Sequence, residues 1–268
     1  MSKILSQISS LSGRTVLITG AAGHLAKTII PCLADLGASF VLVDHPSTDL
    51  ASLQSYISKH WTSKVRVFHC DLLLESDRSS LIQSLQKTTA SLSCLINNAA
   101  YIGDTKISGW SVPFELQTID AWRNALEVNL TAPFHLARDL SSILKLGQGP
   151  NIINIASIYG FLGPDWSLYK DTPMANPAAY SASKGGLIQL TKWLATTLSP
   201  HIRVNSISPG GIFRQQPDSF VDRYSTRTPL GRMAQLDDFV GAVTYLATDQ
   251  SRYVTGHNLV IDGGWSIW

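Results

Sequence analysis

The feature that most constrains the fold is an alternation of short apolar, β-branched runs with longer segments of helical periodicity. Seven runs are typical of strands: TVLIT, FVLVD, VRVFHC, CLINNA, NIINIAS, HIRVNSIS and NLVID. The intervening segments predict helices near residues 24–36, 48–61, 76–90, 119–146, 177–199 and 235–247. Because the strands are apolar on both faces and alternate with helices, we predict a doubly wound, Rossmann-type α/β fold, with a mostly parallel seven-stranded sheet and helices on both faces.

Domain organisation follows from length and from the absence of dividing segments. With 268 residues, of which 44% are hydrophobic, the chain can form one large domain or two small ones. No repeat, low-complexity tract or linker separates two parts, so we predict a single domain over residues 1–268. Two irregular stretches near 158–177 and 210–232 are rich in Gly, Pro and aromatic residues. Connections of that length often carry function.

The charge and hydropathy of the chain indicate which classes of partner it binds. The formal charge is +2, only 15% of residues are charged, and no Lys or Arg run occurs, which argues against binding to nucleic acid or to an acidic membrane surface. No stretch approaches the roughly 20 apolar residues of a membrane helix, and the N-terminal apolar run is too short for a signal sequence. We therefore expect a small-molecule partner.

The cysteines indicate the redox environment. Cys32, Cys70 and Cys94 are odd in number, widely spaced and set in apolar segments. This pattern fits reduced core thiols better than disulfides or a metal site. It predicts a cytoplasmic protein with no bound metal.

The stretch TGAAGHLAKTII, residues 19–30, joins the first strand to the first of these helices. Gly20 and Gly23 allow a tight turn and a close approach of the backbone to a pyrophosphate, whose charge then meets the helix N-terminus. Ala26 adds one methyl group where a third glycine would stand, and His24 either flanks the phosphates or faces solvent. This context predicts a dinucleotide site; an ordinary βα turn with incidental glycines is the alternative.

Acidic residues at the next strand ends indicate which dinucleotide. Asp44 ends the second strand, where a carboxylate would accept hydrogen bonds from the adenosine ribose and repel a 2′-phosphate. No Arg or Lys precedes Lys27 in the glycine loop, so we predict NAD(H) rather than NADP(H), unless Asp44 is only a strand-end turn residue. Asp71 can accept a hydrogen bond from the adenine amino group. The small residues of NNAA, 97–100, give the cofactor close access.

The motif YSASK places Tyr180 and Lys184 one helical turn apart, on the same face. A tyrosine that acts as acid and base near neutral pH needs a cation beside its phenolate, since its ordinary pKa is near 10. A downward shift of about 3 units corresponds to about 4 kcal/mol. Lys184 can supply part of this stabilisation, although the spacing alone is usually accidental.

Further motifs occur in a characteristic order: NNAA, VNLTAPF, INIASIYG, YSASK, RVNSISPGGI and GHNLVIDGG. In this order they resemble the classical short-chain dehydrogenases/reductases over essentially the whole chain. The resemblance implies a catalytic tetrad of Asn129, Ser157, Tyr180 and Lys184. In that family Tyr transfers the proton, Lys lowers its pKa and holds the nicotinamide ribose, Ser orients the carbonyl, and Asn anchors a relay water.

The resemblance extends to the cofactor site and to assembly. It implies that the cofactor contacts Gly20, Gly23, His24, Leu25, Asp44, Asp71, Leu72, Asn98, Ala99, Tyr180, Lys184, Pro209, Gly211 and Ile212. It also implies a homotetramer or homodimer. The apolar C-terminal GGWSIW is consistent with burial of Trp265 and Trp268 at a subunit contact or against their own domain.

Pro133 allows one part of this assignment to be argued physically. In a continuous helix it removes the N–H partner of the Asn129 carbonyl, and a buried free carbonyl favours a bound water. That water is what a proton relay requires. Alternatively, Pro133 only kinks a long helix.

Three departures from the family pattern concern the site. His24 and Ala26 replace the later glycines of T-G-x-x-x-G-x-G, and Gly20 and Gly23 instead match the T-G-x-x-G-x-x-G spacing of extended members. Arg214 stands where a Thr after PGGI helps to hold the nicotinamide. An insertion, FLGPDWSLYKDTPMANPAA, lies between Ser157 and Tyr180, and we expect it to wall the active site.

These observations predict an NAD(H)-dependent oxidoreductase that interconverts a secondary alcohol and a ketone. Two alternatives remain: an epimerase or dehydratase that recycles the nucleotide, and a non-catalytic NAD-responsive binding protein. The intact tetrad disfavours the second.

Substrate class is predicted from the two irregular stretches. Residues 213–232 contain Arg214, Arg223, Arg227 and Arg232, and arginine suits carboxylate and phosphate groups. The residue pattern of the 158–177 stretch resembles that of a subgroup associated with flagellin modification and sialic-acid-like sugars. The arginines and this resemblance together predict a polar, sugar-like or anionic substrate. The predicted contacts are Tyr159, Trp166, Tyr169 and Arg214. Alternatively, the arginines only solvate a loop and Arg232 contacts a helix start.

Overall fold

The structure, a computed structural model, describes residues 3–101 and 107–268. Their strands form one sheet in which every pairing is parallel, in the order β3-β2-β1-β4-β5-β6-β7. The strands are β1 (Thr15–Thr19), β2 (Ser39–Asp44), β3 (Val65–His69), β4 (Cys94–Asn97), β5 (Asn151–Ile155), β6 (Arg203–Pro209) and β7 (Asn258–Ile261). The predicted doubly wound single domain with seven parallel strands is confirmed.

Helices cover both faces of the sheet. They are α1 (Lys3–Ser9), α2 (His24–Asp35), α3 (Leu50–His60), α4 (Glu75–Thr88), α5 (Ile119–Leu126), α6 (Ala132–Lys145), α7 (Ala178–Thr197), α8 (Asp218–Arg227) and α9 (Val240–Ala247). One apolar cluster joins the sheet to α2, α3 and α9. A second cluster joins the opposite face to α4, α6 and α7.

The pleat of the central strand explains why both layers form. Val16 and Ile18 of β1 belong to the first cluster, whereas Leu17 between them belongs to the second, and all three are fully buried. A strand that is apolar at every position buries both faces only if helices pack on each side. The alternation that is visible in the sequence therefore determines the layers.

Two predicted elements need correction. The helix predicted over residues 119–146 is interrupted by a π-helical turn, Glu127–Thr131, in which the Ala132 N–H bonds to the Glu127 carbonyl. Pro133 cannot donate a backbone hydrogen bond, and it lies in the first turn of the helix that restarts after this segment. The second correction is α8, an ordered helix inside a stretch that was predicted to be irregular. The short helix α1 was not predicted from the sequence.

The strand order reverses between β1 and β4, since the chain builds outward from β1 to β3 and then returns to the other side. In open parallel sheets, ligands bind beyond the carboxyl ends of the strands at such a switch point. The glycine loop follows β1, and NNAA begins at the end of β4. The fold thus brings the two motifs together.

Candidate active site

A cleft crosses the carboxyl ends of the strands and consists of two connected cavities. The larger, of about 600 Å³, lies over the glycine loop and the ends of β2 and β3. The smaller, of about 350 Å³, lies between the 158–177 stretch, the start of α7 and the segment after β6. We call them the cofactor cavity and the reaction cavity. Both are lined by Leu25, Asn98, Ala100 and Arg214, which mark their junction.

The glycine loop has the geometry of a phosphate cradle. Gly20 has φ +63°, and a Cβ atom there would lie 2.8 Å from the Cα of Ala99. The Gly23 N–H donates to the Gly20 carbonyl at 3.0 Å, and α2 begins at the next residue. The first N–H groups of an α-helix have no partner within the helix, and the first residues of α2, His24 and Leu25, line the cofactor cavity. The loop therefore suits a bound pyrophosphate.

Asn98 holds this loop against the end of β4. Its side-chain amide donates to the carbonyls of Thr19 and Gly20 at 3.1 and 3.0 Å. The Thr19 hydroxyl accepts from the backbone N–H groups of Asn98 and Ala99, each at 3.1 Å. Ala26 is fully buried between helix and sheet, as its small size predicted, whereas His24 is exposed at the cavity wall.

The far end of the cofactor cavity is acidic. The Asp44 carboxylate accepts from the Ala22 N–H at 2.8 Å and from the His45 N–H at 2.7 Å, which fixes it beside the glycine loop. Asp71 accepts from the Leu73 N–H at 2.9 Å. Among the described residues that line this cavity, the only Arg or Lys is Arg214, at the opposite end.

The reaction cavity is built around the start of α7. Tyr180 and Lys184 line it from one helix face, and Ser157 lines it from the turn after β5. Lys184 is buried and its Nζ donates to the Ile155 carbonyl at 2.7 Å. Its ammonium lies 5.8 Å from the centroid of the Tyr180 ring. Burial lowers the pKa of Lys184 to about 8.

Three influences act on the Tyr180 hydroxyl. Burial raises its pKa, whereas a hydrogen bond with Ser157 and the positive charge of Arg214 lower it. From the sequence, Lys184 was predicted to supply part of the stabilisation of the phenolate. In the structure, the cation whose charge lowers the pKa of Tyr180 is Arg214, which also lines the reaction cavity.

Asn129 lies behind the cavity wall, at the centre of the π-helical turn, and is buried. Its amide donates to the Ser183 hydroxyl at 3.0 Å, and its side-chain oxygen accepts from the Tyr101 N–H at 2.6 Å. The Ser183 hydroxyl in turn donates to the Tyr180 carbonyl at 2.9 Å. Asn129 thus connects the π-helical turn to the helix that carries Tyr180.

The predicted site residues converge on the cleft with two exceptions. All of the predicted cofactor contacts line one of the two cavities, as do Ser157, Tyr159, Tyr169 and Arg214. Asn129 lies behind the wall. Trp166 does not line the cavity; it is exposed and packs against Tyr169 at a centroid distance of 5.7 Å.

Several lining residues were not singled out from the sequence. Trp110 and Met174 form apolar wall, and the buried amide of Asn176 hydrogen-bonds the Tyr159 and Tyr169 hydroxyls. Those two hydroxyls are 2.7 Å apart. No local pattern distinguishes these residues, because their convergence depends on how the insertion folds back over the sheet.

The segment after β6 is anchored by an aromatic stack. Trp265 and Tyr224 stack at a centroid distance of 4.5 Å, and the Tyr224 hydroxyl accepts from the Gly211 N–H at 2.6 Å. Of the two alternatives for the C-terminal tryptophans, Trp265 covers its own domain, whereas Trp268 is exposed. The stack holds the backbone that forms one wall of the reaction cavity.

Within residues 3–101 and 107–268, the three cysteines are free, and no cluster of His, Cys, Asp or Glu could hold a metal ion. None of the helices in this part of the chain is both long enough and apolar enough to cross a membrane.

Comparison with known proteins decides the family. Residues 20–266 match the family model described as enoyl-(acyl carrier protein) reductase. The chain belongs to the short-chain dehydrogenase/reductase family. The chain is an enzyme of this family that acts on CH–OH groups, and the family uses NAD or NADP.

Individual short-chain dehydrogenases/reductases match over most of the chain. An uncharacterized short-chain type dehydrogenase/reductase of Sinorhizobium fredii is 33% identical over 94% of the chain, which spans only 44% of that longer protein. Post-translational flagellin modification protein A of Campylobacter coli is 25% identical over 96% of the chain and 100% of its own length. A Leptospira borgpetersenii short-chain dehydrogenase with bound NAD+ has a TM-score of 0.82 at 32% identity, covering 99% of this chain and 96% of that one.

Proposed function

We propose that the protein is an NAD(H)-dependent oxidoreductase that interconverts a secondary alcohol and a ketone on a polar, sugar-like or anionic substrate. The observation that carries this proposal is the position of Tyr180, Lys184 and Ser157 in one cavity, which continues directly into the glycine-loop cavity. That arrangement supports a proton-transfer role for Tyr180 next to the expected position of the nicotinamide.

The residues divide the chemistry between them. When bound, the nicotinamide ring supplies or accepts the hydride at the carbinol carbon. In the reduction direction, the Tyr180 hydroxyl donates its proton to the carbonyl oxygen, and in oxidation its phenolate accepts the alcohol proton. Ser157 donates a hydrogen bond to the same oxygen and orients it. The positive charge of Arg214 and the hydrogen bond with Ser157 stabilise the phenolate. We assign a further part of this stabilisation to the Lys184 ammonium, which lies 5.8 Å from the centroid of the Tyr180 ring.

Lys184 and Asn129 position the proton-transfer group. One N–H of the Lys184 ammonium is used by the Ile155 carbonyl, which leaves two donors for the ribose of a bound nucleotide and for a water. Asn129 holds the start of α7 through Ser183. We assign to it the positioning of this turn and of a water that supplies protons to Lys184.

The preference for NAD(H) rests on charge. The Asp44 carboxylate is held in place by two backbone N–H groups at the ribose end of the cofactor cavity. A 2′-phosphate placed there would meet a negative charge with no described Arg or Lys beside it. The bound NAD+ of the Leptospira relative is consistent with this choice.

The substrate class is supported by the polar groups that face the reaction cavity. The Tyr159–Tyr169 hydroxyl pair, Asn176 and Gln216 offer hydrogen bonds to hydroxyl groups, and Arg214 offers a positive charge. A flagellin modification protein is among the relatives, in line with the subgroup that the 158–177 stretch resembles. We also propose that the protein acts in the cytoplasm, in line with its free thiols, and that it forms a homotetramer or homodimer. Tagged-protein fractionation and sedimentation velocity test these two points; a secreted or monomeric protein would contradict them.

The first experiment follows NADH absorbance with a panel of sugars, sugar phosphates, nucleotide sugars, oxo acids and simple ketones, beside Tyr180→Phe. Turnover that is lost in Tyr180→Phe and kept in Tyr253→Phe, whose side chain is fully exposed, supports the proposal. Product formed with no net NADH change would instead indicate a recycling epimerase or dehydratase. NAD binding without turnover, unchanged in Tyr180→Phe, would indicate a binding protein.

A further inference from the structure

The four arginines of residues 213–232 are not equivalent in the structure. Arg223 donates to the Lys170 carbonyl at 2.6 Å, Arg227 to the Asp165 carboxylate at 2.5 Å, and Arg232 to the Asp238 carboxylate at 2.6 Å. These three guanidinium groups therefore stabilise the protein's own loops. The general argument that an arginine-rich loop binds anions does not apply to them.

Arg214 differs from the other three. Its backbone N–H donates to the Gln216 side chain at 2.6 Å, which fixes the loop at this position. Its guanidinium has no hydrogen-bond or ion-pair partner among the described residues. A guanidinium has five N–H donors in a planar fork, so this side chain has its full capacity available for a ligand.

The position of Arg214 indicates what kind of ligand it meets. It lines both cavities at their junction, and its charge lowers the pKa of Tyr180, which places it on the reacting side of the cleft. No acidic residue is present among the described residues that line the reaction cavity. Among the same described residues the only other cation is Lys184, which already binds a backbone carbonyl. An anionic group in this cavity therefore meets attraction and no opposing carboxylate from the described part of the wall.

The number of cations decides between a carboxylate and a phosphate. One guanidinium matches one carboxylate in charge and in bidentate geometry. A phosphate ester carries close to two negative charges, and the arginines that could share them are bound elsewhere. The remaining wall includes Trp110, Ile158 and Met174, which are suited to carbon rather than to a second anion.

We propose that Arg214 binds a carboxylate of the substrate, and that the protein acts on a hydroxy acid and the corresponding oxo acid. This inference rests on the proposed function and narrows its substrate class. The Arg214 guanidinium, at the junction of the two cavities, would hold the carboxylate while Ser157 and Tyr180 hold the reacting oxygen. Two fixed ends orient the carbinol carbon toward the nicotinamide side of the cleft.

The test uses matched pairs of 3-, 4- and 5-oxo acids and their methyl esters with NADH. The expected kcat/KM of the wild-type protein is at least tenfold higher for the preferred acid than for its ester. Arg214→Gln should lower that ratio at least tenfold, and Arg214→Lys should retain part of it, because a point charge remains without the fork. Arg252→Gln removes an exposed charge away from the cleft and should leave the ratio unchanged.

Other outcomes overturn the inference and can be told apart. If Arg214→Gln lowers kcat/KM equally for the acid and for its ester and also weakens NADH binding, Arg214 is a cofactor ligand. If the wild-type protein reduces neutral ketones through Tyr180 and its kcat/KM is no higher for an oxo acid than for the methyl ester, the proposed function stands and the inference fails. If nothing in the panel is reduced, the proposed function fails for these compounds. The NADH complex is then titrated with 4-oxopentanoate by fluorescence, and equal affinity in wild type and Arg214→Gln rejects a carboxylate site.

Discussion

The two halves of the cleft are built in different ways. The cofactor cavity is formed mainly by backbone at the strand ends, namely the turn at Gly20 and the start of α2. The side-chain amide of Asn98 holds that turn in place. The reaction cavity is formed mainly by side chains that come from the 158–177 stretch, α7 and the segment after β6. A site made of backbone can be read from a local motif, whereas a site made of side chains depends on long-range packing. Mutations should therefore affect the binding and choice of nucleotide in the first half, and the chemistry or the choice of substrate in the second.

The largest expected effect tests the chemistry of the reaction cavity. Lys184→Met removes a buried cation beside Tyr180, so we expect kcat/KM to fall by about 10²- to 10⁴-fold. The fold should not be weakened, because burial lowers the pKa of Lys184 to about 8, below its value in the unfolded chain. The unfolded state then binds more protons, so this residue costs stability below about pH 8, and that cost declines as pH rises toward the unfolded value.

Thermal unfolding at pH 7 and at pH 9.5 checks this account beside the kinetics. The difference between the two pH values should be smaller in Lys184→Met than in wild type. Lys192→Met changes an exposed lysine of the same helix and should alter neither activity nor stability. A large loss of Tm in Lys184→Met alone would show that the ammonium supports the fold rather than the reaction.

The second effect belongs to the cofactor cavity. Gly20→Ala puts a Cβ at φ +63° and within 2.8 Å of the Ala99 backbone, so the loop must shift. We expect NADH affinity to fall tenfold or more, and the free energy of unfolding to fall by about 1–3 kcal/mol. Gly163→Ala is the matched control, since its Cβ would meet nothing within 4 Å. Equal effects of the two substitutions, measured by NADH titration and thermal unfolding, would contradict a specific cradle.

A third prediction concerns the choice of nucleotide. Asp44→Ala removes the negative charge that faces a 2′-phosphate, so the ratio of NADH to NADPH affinity should fall about tenfold, which corresponds to about 1.4 kcal/mol. Part of the NADH affinity should also be lost, because the Ala22 N–H loses its acceptor. Asp120→Asn, at an exposed acid outside the cleft, should leave the ratio unchanged. Titration with both nucleotides decides the point; an unaltered ratio in Asp44→Ala would mean that Asp44 only supports the turn.

The smallest expected effect is a shift in pH dependence at the junction of the two cavities. The Arg214 charge lowers the pKa of Tyr180, so Arg214→Gln should raise it. Oxidation requires the phenolate, and the midpoint of the rise of the oxidation rate with pH should therefore move to higher pH. The profile of kcat/KM for a neutral alcohol measures this shift. A midpoint that stays in place would show that Arg214 acts on the ligand alone.

Local sequence patterns were sufficient to predict the fold and the glycine loop of the cofactor cavity. The apolar runs predicted the strands, and the glycines after β1 predicted the cradle, because each depends on neighbours within a few residues. The spacing of Tyr180 and Lys184 predicted their shared helix face for the same reason. The helix over 119–146 was only partly right, since Pro133 indicated a disturbance but not the π-helical turn that accommodates it.

The tertiary structure decided what the side chains of the irregular stretches do. From sequence, the anionic-substrate prediction rested on all four arginines of residues 213–232, although only Arg214 was predicted to contact the substrate. Lys170 and Asp165, the partners of Arg223 and Arg227, lie more than fifty residues away along the chain. Only folding shows that these two guanidinium groups are occupied, whereas that of Arg214 has no partner among the residues that the structure describes. Short-range patterns determine backbone conformation through sterics, hydrogen bonding and burial. Which charges meet depends on contacts between distant segments, and that pairing appears only when the chain is packed.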